Sequence, residues 1–257
     1  MDLGIAGRVA LVTGASRGIG LAAARALAAE GCAVAVASRR PDTVRRAAEG
    51  LAAGGARAVG LAGDVADPAV PARLVAEAEA ALGPVDILVA NAGGPRQGGF
   101  LDVEDGDWER AAQQNLLGMA RLARAVLPGM QRRRWGRIVT ITSMTAREAA
   151  DGLVLSNAVR AGVAGMVRTL AREVAAEGFR VNNVMPGPID TERLREIHGG
   201  AGGVEAALAA RAARNPTGRL GRPDEVGDLV AFLCGERAAF LTGASILVDG
   251  GESRVIA

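Results

Sequence analysis

The sequence has no tyrosine and no lysine, because all 30 residues counted as lysine or arginine are arginine. It has a single histidine, His198, and two cysteines, Cys32 and Cys234. One histidine excludes a histidine-based metal cluster, and two isolated cysteines in apolar surroundings are typical of small core residues. We therefore expect neither a metal site nor a disulfide.

Aromatic residues make up only 2% of the chain, and the arginines are dispersed among 28 acidic residues. The net charge is +2, and no basic stripe is interleaved with aromatics, which argues against a nucleic-acid partner. No apolar run reaches the length that crosses a bilayer, and the first residues do not form a secretory signal. We expect a soluble cytoplasmic protein with a small-molecule substrate and no membrane partner.

The most informative stretch covers residues 13–20, Thr-Gly-Ala-Ser-Arg-Gly-Ile-Gly. An apolar strand precedes it and an alanine-rich helical segment follows. In such a turn Gly14 permits the tight bend, Gly18 lets backbone approach a pyrophosphate, and Gly20 lets helix and strand pack closely. The free N–H groups at the helix start then face the phosphates. The alternative is a tight strand-to-helix turn that binds nothing.

The rest of the chain alternates strand and helix without a break in composition. Strands are predicted at 9–12, 33–38, 56–61, 85–90, 137–142, 180–184 and 246–248. Helices are predicted at 21–30, 42–53, 68–82, 104–130, 156–176 and 224–234. This series predicts one α/β domain over residues 1–257, a doubly wound, Rossmann-like parallel sheet of about seven strands with helices on both faces.

Residues 189–215 interrupt the series after the sixth strand. They hold two glycine pairs and an amphipathic stretch at 204–214. Ligands bind at the carboxyl ends of strands in such sheets, so we interpret this insertion as a mobile lid. An irregular surface excursion is the alternative.

These motifs together resemble the short-chain dehydrogenase/reductase family over essentially the whole chain, closest to its β-ketoacyl-carrier-protein reductase-like branch. The resemblance also rests on segments near the C-terminus, at 219–223 and 242–251. It implies that Asn115 and Ser143 are catalytic. The cofactor-binding residues that it implies are Gly14, Ser16, Arg17, Gly18, Ile19, Gly20, Asp64, Val65, Asn91, Ala92, Gly93, Pro186, Gly187, Ile189 and Thr191.

The chain departs from the family at the chemistry. The family has a catalytic Tyr thirteen residues after the Ser and a Lys four residues later; here these positions are Ser156 and Arg160. A phenol has a pKa of about 10 and can be tuned toward neutrality, whereas an alkyl hydroxyl is a poor acid. Arg160 can still donate to the ribose hydroxyls of a cofactor and supply positive charge, but it cannot relay a proton. Both stay candidate catalytic residues.

Other residues near the site are open to two interpretations. Glu148, Asp151 or His198 could supply the proton, although a loop carboxylate is usually just solvated. Ser143 could donate to an oxyanion, or it could bond only to local backbone. Asn115 could bond backbone across a helix kink and hold a water, or it could be a plain buried amide.

The end of the second strand predicts the cofactor. Ser38 stands where a carboxylate would bond the ribose 2′-hydroxyl of NAD(H), and Arg39 and Arg40 follow it, with Arg17 on the glycine turn. Guanidiniums converging on a 2′-phosphate would form strong pairs, so we expect NADP(H). The alternative is that Arg39 and Arg40 are solvated loop charges.

Three functions remain open from the sequence. The first is an NADP(H)-dependent oxidoreductase with altered proton handling, acting on a small carbonyl, imine or conjugated substrate. The second is a non-redox lyase or dehydratase, and the third is a non-catalytic NADP(H)-binding sensor or scaffold. Helical segments at 116–130 and 159–174 are apolar or small on more than one face, and in the family they form the dimer interface. We therefore expect a homo-oligomer, and specifically a tetramer.

Overall fold

The computed structural model describes residues 1–197 and 203–256. Its centre is one seven-stranded sheet in which every neighbouring pair is parallel, in the order β3-β2-β1-β4-β5-β6-β7. The strands are β1 Val9–Thr13, β2 Ala33–Ser38, β3 Ala58–Ala62, β4 Ile87–Asn91, β5 Gly136–Ile141, β6 Phe179–Pro186 and β7 Ser245–Val248. The predicted fold class is confirmed.

Helices cover both faces of this sheet. They are α1 Gly18–Ala29, α2 Pro41–Ala53, α3 Val70–Leu82, α4 Asp105–Ala112, α5 Gly118–Arg133, α6 Val154–Val174, α7 Glu192–Ile197, α8 Val204–Arg214 and α9 Pro223–Cys234. Side chains of α1, α2 and α9 pack on one face, and those of α3, α5 and α6 pack on the other. The strands are apolar on both faces because both faces are covered, as in other parallel sheets.

The single helix predicted at 104–130 is wrong in one respect. A π-helical turn, Gln113–Leu117, divides it into α4 and α5, and α5 continues to Arg133 with Pro128 inside it. Within the turn the amide of Gly118 donates to the carbonyl of Gln113, five residues earlier. A 3.6-residue apolar pattern does not reveal one extra residue in a turn, and π turns of this kind are frequent at functional sites.

The insertion after β6 contains more helix than the sequence predicted, and its interpretation as a mobile lid stays a prediction. It contains a short helix, α7, that the sequence did not show, and α8 at the expected residues. His198 lies outside the described residues, so its candidacy as a proton donor stays untested. In the described part of the chain, no helix is both long and apolar enough to pass through a bilayer.

Cys32 and Cys234 are core residues, as predicted. Both are buried and unbridged, and the Cys32 thiol donates to the carbonyl oxygen of Ile5. Burial raises the pKa of Cys32 to about 12 and that of Cys234 further. Neither thiol is therefore a thiolate near neutral pH.

Candidate active site

The sheet reverses its strand order between β1 and β4, and the two strand ends are joined by hydrogen bonds. The Thr13 hydroxyl donates to the Asn91 carbonyl (2.8 Å) and accepts from the Asn91 amide (3.0 Å). The Asn91 side-chain amide donates to the carbonyl of Gly14 (3.1 Å). Asn91 thus holds the glycine turn against β4, at the crevice where doubly wound sheets bind ligands.

The glycine turn has a backbone that only glycine fits without strain. Gly14 and Gly18 have φ of +59° and +58°, and a Cβ at Gly14 would lie 2.7 Å from the side-chain nitrogen Nδ2 of Asn91. A Cβ at Gly20 would overlap the carbonyl of Gly14. The turn delivers the chain into α1 without any side-chain N-cap. The amides of this first turn, with Ser16 and Ile19 half-buried beside them, are therefore available to an anion.

Thr191 faces the glycine turn from the insertion. The Thr191 methyl group lies 3.5 Å from the position that a Cβ on Gly18 would take. Its hydroxyl accepts from the amide of Leu194 at the start of α7. A pyrophosphate approaching Gly18 would therefore meet Thr191 on its other side.

The backbone that leads from β6 to Thr191 is fixed by a hydrogen bond to β7 and by a bridge to the 219–223 segment. The Gly187 amide donates to the Val248 carbonyl of β7, at 3.0 Å, directly after Pro186. Ile189 is buried and forms an isolated bridge with Gly221. This part of the insertion is built onto the sheet, and the motif at 219–223 is the segment that anchors it.

The end of β2 carries a polar group that has no partner in the protein. The Ser38 hydroxyl oxygen is buried and makes no hydrogen bond to the described residues. Arg39 and Arg40 follow it and are exposed. A buried hydroxyl without a partner is uncommon, and a ribose or phosphate oxygen of a bound nucleotide would satisfy it.

Arg17 is paired with two carboxylates of α7, and its contact with a 2′-phosphate stays a prediction. Its Nη1 donates to Glu192 and contacts Glu196, both at 2.7 Å, which ties the glycine turn to α7. The pKa of Glu196 is lowered, first by the hydrogen bond from Arg17 and further by the charges of Arg193 and Arg40. The charges of Arg17 and Arg40 thus both favour the ionised carboxylate of Glu196.

The segments after β3 and β4 are held by the divided helix. A Cβ on Gly118 would lie 2.7 Å from the carbonyl oxygen of Val65, so α5 lies directly against the Asp64-Val65 pair. The Asp64 carboxylate accepts from the amide of Ala66 and so closes its own turn. Gln114 in the π turn donates to the carbonyl of Gly93, which follows Ala92 in the loop after β4.

Asn115 lies in the middle of the π turn and is completely buried. Its side-chain nitrogen donates to the carbonyl of Ala111 at 3.4 Å, while its Oδ1 has no partner among the described residues. The bond to Ala111 agrees with the first of the two interpretations, while the water that it includes stays a prediction. The free Oδ1 is an acceptor that can hold a water.

Ser143 follows β5 and begins a short turn of helix. Its hydroxyl oxygen accepts from the amide of Thr145 at 3.2 Å. The local backbone bond that the sequence left open is therefore present. An accepted bond uses a lone pair and not the proton, so the Ser143 O–H remains available to donate to a substrate oxygen.

Thr145 is the residue of the site that sequence reasoning missed. It is buried, and its hydroxyl oxygen lies 2.9 Å from that of Ser156 on α6. The hydroxyl at the position of the family tyrosine thus has a partner inside the protein. Its place two residues after Ser143 was the available signal, since Ser/Thr hydroxyls often bond backbone two residues away.

Arg160 lies one helical turn after Ser156 and is only 6% exposed. Its Nη1 donates to the carbonyl of Ile141 at 3.5 Å, and its Nε has no partner among the described residues. Burial lowers the pKa of Arg160 to about 10. The side chain therefore remains a cation at neutral pH, next to the end of β5 and the loop after β4.

The two carboxylates considered as proton donors, Glu148 and Asp151, have different surroundings. Glu148 accepts from the Ser253 hydroxyl and from the Arg254 amide, so it secures the C-terminal segment. Asp151 is exposed. Glu148 is thus bonded at the C-terminal segment, whereas Asp151 stays an untested candidate.

The chain is similar in sequence to proteins of known family. Residues 14–253 match the family model described as enoyl-(acyl carrier protein) reductase. The chain is 38% identical over 249 residues to 3-oxoacyl-(acyl-carrier-protein) reductase of Pseudomonas aeruginosa, covering 97% of this chain and 98% of that protein. The chain belongs to the short-chain dehydrogenase/reductase family.

Two solved structures of the same family are very similar in backbone. L-sorbose reductase from Gluconobacter frateurii, complexed with NADPH and L-sorbose, superimposes with a TM-score of 0.95 at 33% identity and full coverage of both chains. The NADPH-dependent reductase YwfH, involved in bacilysin biosynthesis, has a TM-score of 0.92 at 27% identity, covering 97% of this chain and 99% of that one. The short-chain dehydrogenase/reductase fold is thus shared over the whole sheet.

Proposed function

We propose that this chain is an NADP(H)-dependent oxidoreductase with an atypical active site, acting on a small carbonyl, imine or conjugated substrate. The observation that carries the proposal is the partnerless Ser38 hydroxyl at the end of β2, followed by two arginines and no carboxylate. A carboxylate there would repel a 2′-phosphate, whereas a hydroxyl and guanidiniums attract it. The two solved relatives, described as bound to or dependent on NADPH, support the same cofactor.

The residues present fit this cofactor. The uncapped start of α1 and Thr191 would hold the pyrophosphate, and Asp64 and Val65 would flank the adenine. Arg160, on α6 beside the loop after β4, would approach the nicotinamide ribose. When bound, NADPH supplies a hydride, and the protein must then stabilise the oxygen or nitrogen that gains charge.

Ser143 is the group best placed for that stabilisation. Its oxygen is fixed by the Thr145 amide, so its proton can be donated to a developing oxyanion. Ser156 contributes little to proton donation to the substrate, because its hydroxyl is weakly acidic and is already bonded to Thr145. Substrates whose product takes its proton from water need no enzymic acid and suit this site best.

A second candidate is a non-catalytic NADP(H)-binding protein. The Thr145–Ser156 bond favours it, because it closes with two hydroxyls the position from which the family delivers a proton. The cofactor site would be the same in both cases. The two candidates differ only in turnover.

Two measurements test the proposal. Calorimetry should give NADPH a dissociation constant at least about tenfold below that of NADH, a difference of about 1.4 kcal/mol. Equal affinities, or a preference for NADH, would refute the cofactor. Consumption of NADPH should then be followed with panels of ketones, imines and enones. Tight NADPH binding without consumption on any panel would favour the non-catalytic alternative.

A further inference from the structure

Among the described residues two arginines are buried, and the protein treats them differently. Arg137 is 3% exposed, pairs with Glu236 at 3.3 Å and stacks on the ring of Trp135 at 4.3 Å. Arg160 is 6% exposed and has neither a carboxylate nor an aromatic ring as a partner within the described part of the chain. The charge of Arg160 is therefore left without compensation.

The free edge of the Arg160 guanidinium is well defined. Nη1 is used by the carbonyl of Ile141, two residues before Ser143. Nη2 lies near Gly94 and makes no hydrogen bond to the described residues, and Nε is buried without a partner. Nε–H and Nη2–H form one edge of the guanidinium plane, and this is the edge that grips a carboxylate through two parallel hydrogen bonds.

An unpaired buried cation is costly, so the arrangement indicates a ligand. Taking an ion out of water costs several kcal/mol unless an opposite charge compensates it. Buried polar groups without partners are also uncommon, and each needs a reason. The Arg160 guanidinium is buried and its free donors, Nε and Nη2, are adjacent. We therefore expect an anionic ligand to pair with it.

The cofactor itself does not complete this pair. The hydroxyls of a ribose accept hydrogen bonds but carry no charge, and the oxidised nicotinamide ring is a cation. The phosphates of a dinucleotide belong at the glycine turn, where Gly18 and the start of α1 await them. The missing anion must therefore come from the other ligand of the site, the substrate.

Resting on the proposed function, we propose that Arg160 binds a carboxylate of the substrate through Nε and Nη2, and that the substrate class is small oxo acids. Ser156 is shorter than the family tyrosine by roughly 5 Å, so we expect the substrate carboxylate to lie beside it. Ser143, close in sequence to the Ile141 carbonyl that holds Arg160, would then receive the reacting carbonyl oxygen. Acid and ester forms of one ketone are thereby distinguished.

The first test measures binding without turnover. Acetate and its neutral isostere acetamide are titrated at constant ionic strength into the full chain, alone and with NADP+. We expect acetate to bind at least about tenfold more tightly than acetamide, and Arg160→Gln to abolish the difference. Arg168→Gln, a change on the same helix, is the matched control and should keep it. Equal binding of the two probes by wild type, or a preference that survives Arg160→Gln, would overturn the proposal.

A second readout separates an unpaired charge from a structural one. Arg160→Met should raise the thermal midpoint of the unliganded protein, because it removes a buried cation that has no partner. Acetate should raise the midpoint of wild type and not that of Arg160→Met. A lower midpoint for unliganded Arg160→Met would mean that Arg160 is already compensated within the protein, and would refute the anion site.

The substrate class is tested with acetoacetate and methyl acetoacetate, which share one ketone. We expect wild type to prefer the acid in kcat/KM by at least about tenfold, mainly through KM, and Arg160→Gln to lose that preference. A wild type that turns over the ester as well as the acid would overturn the proposed class. Titrating NADPH into the same samples tests the proposed function separately. A protein that binds acetate but not NADPH would refute the proposed function and leave the carboxylate site at Arg160 standing.

Discussion

The hydroxyl oxygens of Thr145 and Ser156 lie 2.9 Å apart in a buried position, joining the segment after β5 to the start of α6. This bond satisfies a side chain that would otherwise face the substrate. It makes Ser156 a part of the framework of the site.

Replacing Ser156 should therefore affect stability more than turnover. Ser156→Ala should destabilise the protein by about 1 kcal/mol, because it leaves the buried Thr145 hydroxyl without a partner. Turnover should change little, since a hydroxyl that does not transfer the proton is not needed for the reaction. Denaturant unfolding and NADPH consumption measure the two effects. A loss of turnover by about a hundredfold would instead assign Ser156 to the proton transfer, for example through a held water.

Restoring the family pair should create or raise carbonyl reduction. Ser156→Tyr with Arg160→Lys restores a phenol and an ammonium in a chain that keeps the candidate residues Asn115 and Ser143. We expect faster NADPH consumption with methyl acetoacetate than in wild type or in either single variant. The ring must pass Thr145, so Thr145→Ala is added if the double variant is unstable. A wild type that equals or exceeds the double variant would show that the present site is already competent.

The carboxylates of Glu192 and Glu196 now hold Arg17, and a 2′-phosphate would compete with them. Changing both to Gln should increase the preference for NADPH over NADH, since Arg17 is released without losing its charge. Arg17→Gln should reduce that preference by about tenfold, the effect of one charge-assisted pair. Calorimetry with both nucleotides provides the comparison. An unchanged preference in all variants would mean that Arg17 does not contact the phosphate.

The outer face of α6 should be a contact between copies of the chain. It exposes small residues, Ala158, Ala161, Gly162 and Gly165, and nothing lies within 4 Å of a Cβ on Gly165. Gly165→Arg therefore fits the single chain but would obstruct a second helix packed against it. We expect light scattering to give a tetramer for wild type and a smaller species for Gly165→Arg. Gly50→Arg on α2 is the matched control, because its Cβ also meets nothing within 4 Å. A wild-type mass near 26 kDa would refute the oligomer.

Much of the site could be predicted because it depends on short, local patterns. The glycine turn follows from spacing along the chain, and the Ser143 position and the substitutions at 156 and 160 follow from the resemblance to the family. Asn115 was placed correctly on its helix, but the π turn around it was not predicted. One inserted residue changes which side chain faces the sheet without changing the apolar pattern that predicts a helix.

Long-range pairs could not be predicted in the same way. The Arg17 pairs with α7 join residues about 175 positions apart, and Glu148 meets Ser253 across 105 positions. Sequence spacing carries no information about such contacts, because they depend on how the loops at the carboxyl edge fold over one another.

The sequence by itself determined the class of fold, the approximate positions of the strands along the chain and the chemical groups that this protein has for its reaction. It excluded a phenol and a lysine ammonium, because no residue of either kind exists in the chain. Only the tertiary structure decided what the remaining groups do. It paired Ser156 with Thr145, and it buried the Arg160 cation with no partner for Nε among the described residues, because charge compensation depends on which groups meet in space and not on their order in the chain.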